Sequence, residues 1–168
     1  MTYNYFLFKM ELSVKKINIY DENKNYSTQY KTVMELSKKN KFYYHSVCDI
    51  KNWSCADVQE CFHINLDDKI IGFGIAHPRP DDNEYFINLF CIDEEYRNKG
   101  YGTIALRKIE INGRIHKKEF VIVDIENNQS QVKIINHSLW YKRRGYEYLG
   151  QQETESGLLL TYIWGKKL

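Results

Sequence analysis

The residues best equipped for chemistry fall in one short run, Arg97-Asn98-Lys99-Gly100-Tyr101-Gly102-Thr103. Two glycines one residue apart let the backbone turn sharply and leave several N–H groups exposed at the start of a following helix. Such a helix end carries the positive pole of the dipole and binds phosphate readily. Arg97 adds a permanent charge with forked donors suited to phosphate oxygens. The three residues Phe90-Cys91-Ile92 just upstream read as the end of a buried strand. Together these features point to a diphosphate-bearing cofactor. The run lacks the Gly-Lys-Ser/Thr of a P-loop, and the chain lacks the strand-first order of a dinucleotide fold.

The elements that must position this run can be read from periodicity. Residues 12–20 predict a first strand and 27–40 a helix, with Tyr30, Val33, Met34 and Leu36 on its apolar stripe and Lys38 and Lys39 at its negative end. Residues 41–59 give no clear pattern; their aromatic side chains suit core, or the lining of an acceptor pocket. Residues 60–66 and 69–76 are β-rich and joined by Asp67-Asp68, a hairpin signal, and Gly72 and Gly74 in the second run suggest a bulge or a close backbone approach. Residues 84–92 form a third strand that ends in the glycine run. A helix over 103–112 should stop at Gly113. The run 119–125 is continuously β-branched, as in a strand buried on both faces. A second helix follows with Val132, Ile135 and Leu139 on one stripe and Gly145 as its stop. Residues 146–152 and 158–164 close the chain as a hairpin. The expectation is one mixed α/β domain over 1–168, in the order β-α-β-β-β-α-β-α-β-β.

Composition removes several function classes. With 168 residues, 43% hydrophobic and 27% charged, the chain can build a core of its own. A net charge of +2 argues against nucleic acid or an anionic membrane as the partner. No run approaches the roughly 18 apolar residues of a membrane span. Cys48, Cys55, Cys61 and Cys91 form no CxxC pair and have no His at zinc-ligand spacing, so reduced thiols and no metal are expected. The first ten residues lack the features of a secretory leader, and a cytoplasmic location is the expectation.

The glycine run also resembles the acetyl-CoA pyrophosphate signature of the GCN5-related N-acetyltransferase superfamily: Gln or Arg, two residues, Gly, one residue, then Gly or Ala. Arg97-Asn98-Lys99-Gly100-Tyr101-Gly102 meets it in full, with a strand before it, a helix after it, and a further strand and helix in the family's order. The later ending Trp140-Tyr141-Lys142-Arg143-Arg144-Gly145-Tyr146 is similar to the family's Tyr-x-x-x-Gly-Phe and, in its Tyr-Lys-Arg-Arg-Gly wording, to polyamine acetyltransferases of the same superfamily. Two positions depart from the pattern. Asn98 stands where the family often has Gly, and Asn tolerates the positive φ that Gly would supply. Ile134 stands where family members often carry an Asn, seven positions before the Tyr, with Asn127 or Asn128 as the alternative source of that group.

The resemblance implies transfer of an acetyl group from acetyl-CoA, as co-substrate, to a primary amine by direct attack in a ternary complex. The acceptor would be a small molecule such as a polyamine, or a peptide or protein amine, and a homodimer is left open. The alternative is a domain that holds acyl-CoA for regulation without turnover. The cofactor contacts implied are the N–H groups from Asn98 through Lys99, Gly100, Tyr101 and Gly102 to Thr103, the charge of Arg97, and the backbone of Phe90, Cys91 and Ile92 for the pantetheine amides. One strand N–H would polarise the thioester carbonyl. Tyr141 is the implied general acid for the departing thiolate; a thiol near pKa 8.5 and a phenol near 10 differ by roughly 1.5 units, about 2 kcal/mol, which a transfer concerted with bond cleavage tolerates. Glu84, opening the strand that leads to the cofactor, is the candidate base. Asn88, His63 and His77 are further candidates that the sequence does not rank. Cys91 lacks a local base partner and is expected to be a strand thiol. Lys142, Arg143 and Arg144 would meet either a CoA phosphate or the end of their own helix.

Overall fold

The computed structural model describes residues 11–41, 50–52, 58–126, 130–153 and 160–168. Seven strands, β1 (Leu12–Ile17), β2 (Glu60–Leu66), β3 (Lys69–Pro78), β4 (Glu84–Ile92), β5 (Phe120–Glu126), β6 (Glu147–Glu153) and β7 (Leu160–Lys167), form one sheet in the order β1-β2-β3-β4-β5-β7-β6. All neighbours are antiparallel except β4 and β5, which run parallel. The α-helices among the described residues are α1 (Thr28–Lys39), α2 (Tyr101–Ile115) and α3 (Gln131–Lys142). The α/β order expected from the sequence is found, and α2 is the crossover that a parallel β4–β5 pair requires. The first strand stops at Ile17, short of residue 20; beyond it Tyr20 forms an isolated bridge with Tyr26.

Alternation along the strands sends apolar side chains to two separate cores. On one face Cys61, Phe73, Ile75, Leu89 and Cys91 pack under Tyr30 and Val33 of α1. On the other, Phe62, Ala76, Tyr85, Ile87, Val121 and Val123 pack under Leu106 and Ile109 of α2 and Ile134 of α3. Ser27 caps α1 by accepting from the Tyr30 N–H at 3.0 Å, and Lys38 and Lys39 occupy its last turn as expected.

Two sequence expectations about the helices are overturned by packing. Gly113 does not end α2, which continues to Ile115. A Cβ at Gly113 would lie 3.0 Å from Tyr85 Cβ and 2.6 Å from Leu168 Cδ1, so this glycine lets the helix approach β4. The stop comes later, at Lys117 with φ +56°, where the Lys118 N–H reaches back to the Gly113 carbonyl at 2.9 Å. Gly74, on β3, serves the same approach: its Cβ would meet Ile109 Cδ1 at 2.6 Å. In α3 the apolar stripe Val132, Ile135 and Leu139 faces outward, 68, 56 and 43% exposed, and the helix is held instead by Ile134, Trp140 and Tyr141.

One buried polar cluster ties β1, β2, β4 and the end of α2 together. The Glu60 carboxylate, 4% exposed, accepts from Lys16 Nζ, from the Tyr85 hydroxyl at 2.5 Å and from His116 Nε2 at 3.0 Å. Burial by itself would raise its pKa, but the bonds from Lys16, Tyr85 and His116 outweigh burial and hold it below the ordinary 4.5. A depressed carboxylate pKa stabilises the fold above the unfolded-state value, and that contribution is lost as pH falls through the lower folded-state value. Glu60→Gln is therefore expected to cost about 2 kcal/mol at neutral pH and to flatten the loss of stability below pH 4.5, which denaturant titrations from pH 3 to 7 would measure.

Candidate active site

The sheet opens at one place. β4 and β5 pair from Glu84↔Phe120 to Ile87↔Val123 and no farther. β4 continues to Ile92 against β3, and β5 continues to Glu126 against β7, so the two parallel strands part beyond Ile87. The cause lies in β4 itself: β3 pairs Ile75↔Leu89 and then Ala76↔Ile87, which leaves Asn88 as an extra residue. A bulge of this kind bends its strand and leaves one residue outside the ladder. The backbone from Asn88 through Phe90, Cys91 and Ile92 thus presents an edge with no β5 partner, the kind of edge to which amide groups of an extended ligand can bond.

Where β4 ends, the glycine run begins. Asn98 adopts φ +61° and Gly100 φ +84°, so Asn supplies the positive φ expected of it. Gly100 is the N-cap of α2 and carries no capping side chain. Within the described residues the N–H groups of Asn98, Lys99, Gly100, Tyr101 and Gly102 meet no acceptor, while the Thr103 and Ile104 N–H groups close on the Gly100 carbonyl. Successive free N–H groups at a helix start form an anion cradle.

The side chains around the cradle brace it. Arg97 does not extend freely: its Nε donates to the Ile92 carbonyl at 2.8 Å and its Nη2 to Asn40 Oδ1 at 3.1 Å. The same Asn40 oxygen accepts from the Glu94 N–H at 3.0 Å, and Lys39 donates to Asp93 at 2.6 Å and Glu95 at 2.9 Å. The bonds to Asp93 and then Glu95 raise the Lys39 pKa, so α1 is clamped to the cradle by permanent charge. Lys99 folds back onto the Glu95 carbonyl at 3.0 Å. Across the helix start, Arg144 donates through Nε to Thr103 Oγ1 at 3.0 Å and through Nη1 to the Trp140 carbonyl at 2.6 Å, with its guanidinium 3.6 Å above the Trp140 ring. Arg144 serves both ends at once, its own helix and the start of α2. Burial lowers its pKa, with Arg107 and Arg143 adding to the effect, so several cations converge here. Gly102 leaves room for Trp140, whose ring would lie 3.3 Å from a Cβ.

Tyr141 sits in the α2/α3 core cluster with Ile87 and Phe90, edge-on to Trp140 and Tyr146 at 5.0 and 5.2 Å between ring centroids. The Trp140 ring also packs on Phe90 of the open edge, 6.1 Å between centroids, so Tyr141 lies on the face of the sheet that Phe90 presents to α3. Glu84 is not brought there. It lies at the far end of β4, about 13 Å of strand from Asn88, and is paired with Arg79 at 2.7 Å. Cys91 turns to the α1 core, 4% exposed, and burial pushes its thiol up to about 11, which suits a packing role. His63 is a tie between layers, its Nε2 bonded to the Gln29 carbonyl at 2.9 Å. Asn127 and Asn128 lie outside the described residues, as does most of 41–59, and the position of the family's Asn is occupied by Ile134, buried in the core. The sequence reading missed Asn40 and Trp140. Neither carries a motif; both act through long-range contacts.

A family model for GNAT acetyltransferases matches residues 26–146, from the turn before α1 to the residue before β6. The chain belongs to the GNAT family of acetyltransferases. It is an acyltransferase. Its fold is similar to that of a GNAT-family protein from Desulfovibrio desulfuricans, with TM-score 0.70, 12% identity, and coverage of 94% of this chain and 99% of that one. A GNAT family acetyltransferase from Elizabethkingia anophelis with acetyl-CoA bound gives 0.66 at 11% identity, covering 94 and 98%. PaiA N-acetyltransferase from Thermoplasma acidophilum in complex with coenzyme A gives 0.63 at 15% identity, covering 95 and 100%. A search of curated proteins finds no match. None of the described helices is long and apolar enough to cross a membrane.

The bracing of the cradle is testable on its own. Asn40→Ala removes one oxygen shared by the Glu94 N–H and Arg97, and is expected to cost about 1–2 kcal/mol. Amide exchange should accelerate at Glu94, Tyr96 and Arg97, whose N–H groups are bonded here, while the β2–β3 hairpin keeps its protection.

Proposed function

We propose that this GNAT enzyme transfers acetyl from acetyl-CoA to a primary amine, carried by a small molecule such as a polyamine or by a peptide or protein, through direct attack in a ternary complex. The observation that carries the reading is the continuity of the parted β4 edge with the bare start of α2. A diphosphate held by the free N–H groups from Asn98 to Gly102, with the Thr103 N–H already engaged by the Gly100 carbonyl, would lead a pantetheine arm back along Ile92, Cys91 and Phe90, ending with its thioester at the Asn88 bulge. The complexes of the two similar proteins with acetyl-CoA and coenzyme A support the choice of cofactor.

The chemistry follows from that placement. A backbone N–H freed by the bulge would donate to the thioester oxygen and stabilise the charge that grows there during attack. Tyr141, linked to Phe90 through the Trp140 ring, would protonate the departing sulfur. The cations at Arg97, Lys99 and Arg144 would offset the charge of the diphosphate while continuing to brace the loop. Glu84, ion-paired and remote from the bulge, has no geometric claim to act directly as base.

A thiol-release assay with acetyl-CoA across polyamines, aminoglycosides, amino acids and peptides tests the reading and finds the acceptor. Tyr141→Phe should lower kcat by about 100-fold and leave acetyl-CoA affinity nearly unchanged; an undiminished kcat removes the acid assignment. Gly100→Val forces a β-branched residue to φ +84° and should weaken acetyl-CoA binding by at least about tenfold. Intact binding in that variant would sink the cradle.

A further inference from the structure

The acid has a position on the α2/α3 face, and a second polar group occupies the opposite face at the same bulge. By alternation along β3, His77 shares the side of Phe73 and Ile75, which pack under α1. It is 4% exposed, and its Nδ1 lies 2.8 Å from Oδ1 of Asn88, the bulge residue itself. Gln59 Nε2 lies 3.1 Å from the same Nδ1. We propose that His77 is the catalytic base that receives the acceptor amine's proton on Nε2, and that Asn88 is the positioning residue that holds it there; the assignment rests on the acetyl-transfer reading above.

The tautomer decides whether the ring can do this. Nδ1 cannot both donate to Asn88 and accept from Gln59. The shorter contact, to a carbonyl oxygen, makes Nδ1 the protonated nitrogen. Gln59 then faces it with the wrong end of its amide. Turning that amide over offers Oε1, otherwise buried without a partner, to the Nδ1–H. With Nδ1 protonated, the lone pair is on Nε2, which makes no hydrogen bond among the described residues.

The surroundings keep the ring neutral. Burial lowers the His77 pKa, the bond to Asn88 opposes that, and Arg79 lowers it further. Arg79, one residue past the end of β3, is the charged group acting on His77; it stacks on Phe86 at 4.4 Å and is paired with Glu84 of β4, while Asn88, Gln59 and the Phe86 ring, 5.7 Å from the imidazole, are the imidazole's other contacts among the described residues. Such a base is too weak to strip a free alkylammonium. It is strong enough for the nitrogen that has become cationic by adding to the carbonyl, whose protons are far more acidic.

In the balanced step the amine lone pair adds to the thioester carbon and forms the C–N bond, and the nitrogen passes a proton to His77 Nε2. Collapse breaks the C–S bond. The sulfur leaves with the bonding pair and takes the Tyr141 proton, after which Tyr141 regains a proton and His77 returns one to solvent. One amine and one thioester give one amide and one thiol. Acid and base thus lie on opposite faces of the sheet, on either side of the gap that would hold the planar thioester.

The test is a pH profile of the full chain, by thiol release at saturating acetyl-CoA with an amine found in the acceptor screen. Protonation of His77 blocks the transfer, so kcat/KM calculated on the concentration of unprotonated amine, which removes the amine's own ionisation, should fall as pH drops, with an apparent pKa below about 6.5. His77→Gln should lower kcat by about 100-fold, remove that acid limb and keep the acetyl-CoA Kd within about twofold. Asn88→Asp places a carboxylate against the Nδ1–H and should move the limb to higher pH, a shift that loss of packing does not produce; it also decides the matter if His77→Gln fails to fold. Near-wild-type turnover in His77→Gln with its acid limb intact, or a limb unmoved in Asn88→Asp, overturns the proposal. Wild-type protein that binds acetyl-CoA yet releases no thiol with any amine is a different failure: it removes the transfer reading, and this assignment with it.

Discussion

The parting of β4 from β5 is the constraint on which the rest of the structure depends. Parallel strands joined by a helix normally pair along their length and bury both faces. Here the extra residue at Asn88 bends β4 after four paired positions, and β5 follows β7 instead. Every backbone group exposed by that divergence lies on an edge that water or a ligand must satisfy. An extended molecule carrying amides meets that need along its length. The fold therefore holds an unfilled strand position in the middle of its sheet, where both flanking strands are paired on their other sides.

Keeping that position useful requires the start of α2 to stand at the end of the same strand. Close packing supplies this. Gly74 and Gly113 remove the side chains that would hold α2 away from β3 and β4, and Leu106 and Ile109 fill the space between. The loop itself needs two residues at positive φ, Asn98 and Gly100, which cost little for these residue types and leave its N–H groups aligned. Bracing comes from both sides. Lys39 and Asn40 hold it to α1, and Arg144 and Trp140 hold it to α3. The cradle is thus pre-formed, and a bound anion has less ordering to impose.

The two faces of the sheet are chemically unequal at the gap. On the α2/α3 side, aromatic rings surround Tyr141. On the α1 side, the polar group of three residues His77, Asn88 and Gln59 meets at the bulge. Membership of the GNAT family makes acetyl transfer the reaction; with the roles proposed above for Tyr141 and His77, this asymmetry would let a proton move in opposite directions on the two sides. Cys91, though in the right strand, faces the wrong core for any such role.

Much of this was legible in the chain, and the division has a physical basis. The glycine run, its strand, the following helix, the meander and the hairpins were readable because each is set by local backbone preference or short-period burial. The bounds of β2 and β4 agree with the pattern for that reason. What escaped depends on contacts between distant segments. Gly113 looks like a stop, yet Tyr85 and Leu168 make it a packing site; Val132, Ile135 and Leu139 look like a core stripe, yet no described element covers them. Glu84 stands ahead of His77 as the base in one dimension, yet pairing β3 with β4 around one extra residue leaves Glu84 as the partner of Arg79 and brings His77 to Asn88. The sequence by itself determined the cradle, because φ and free N–H groups are properties of a few consecutive residues. Only the tertiary structure decided which side chains surround it, because that follows from register, and one residue of slip exchanges the faces of a strand.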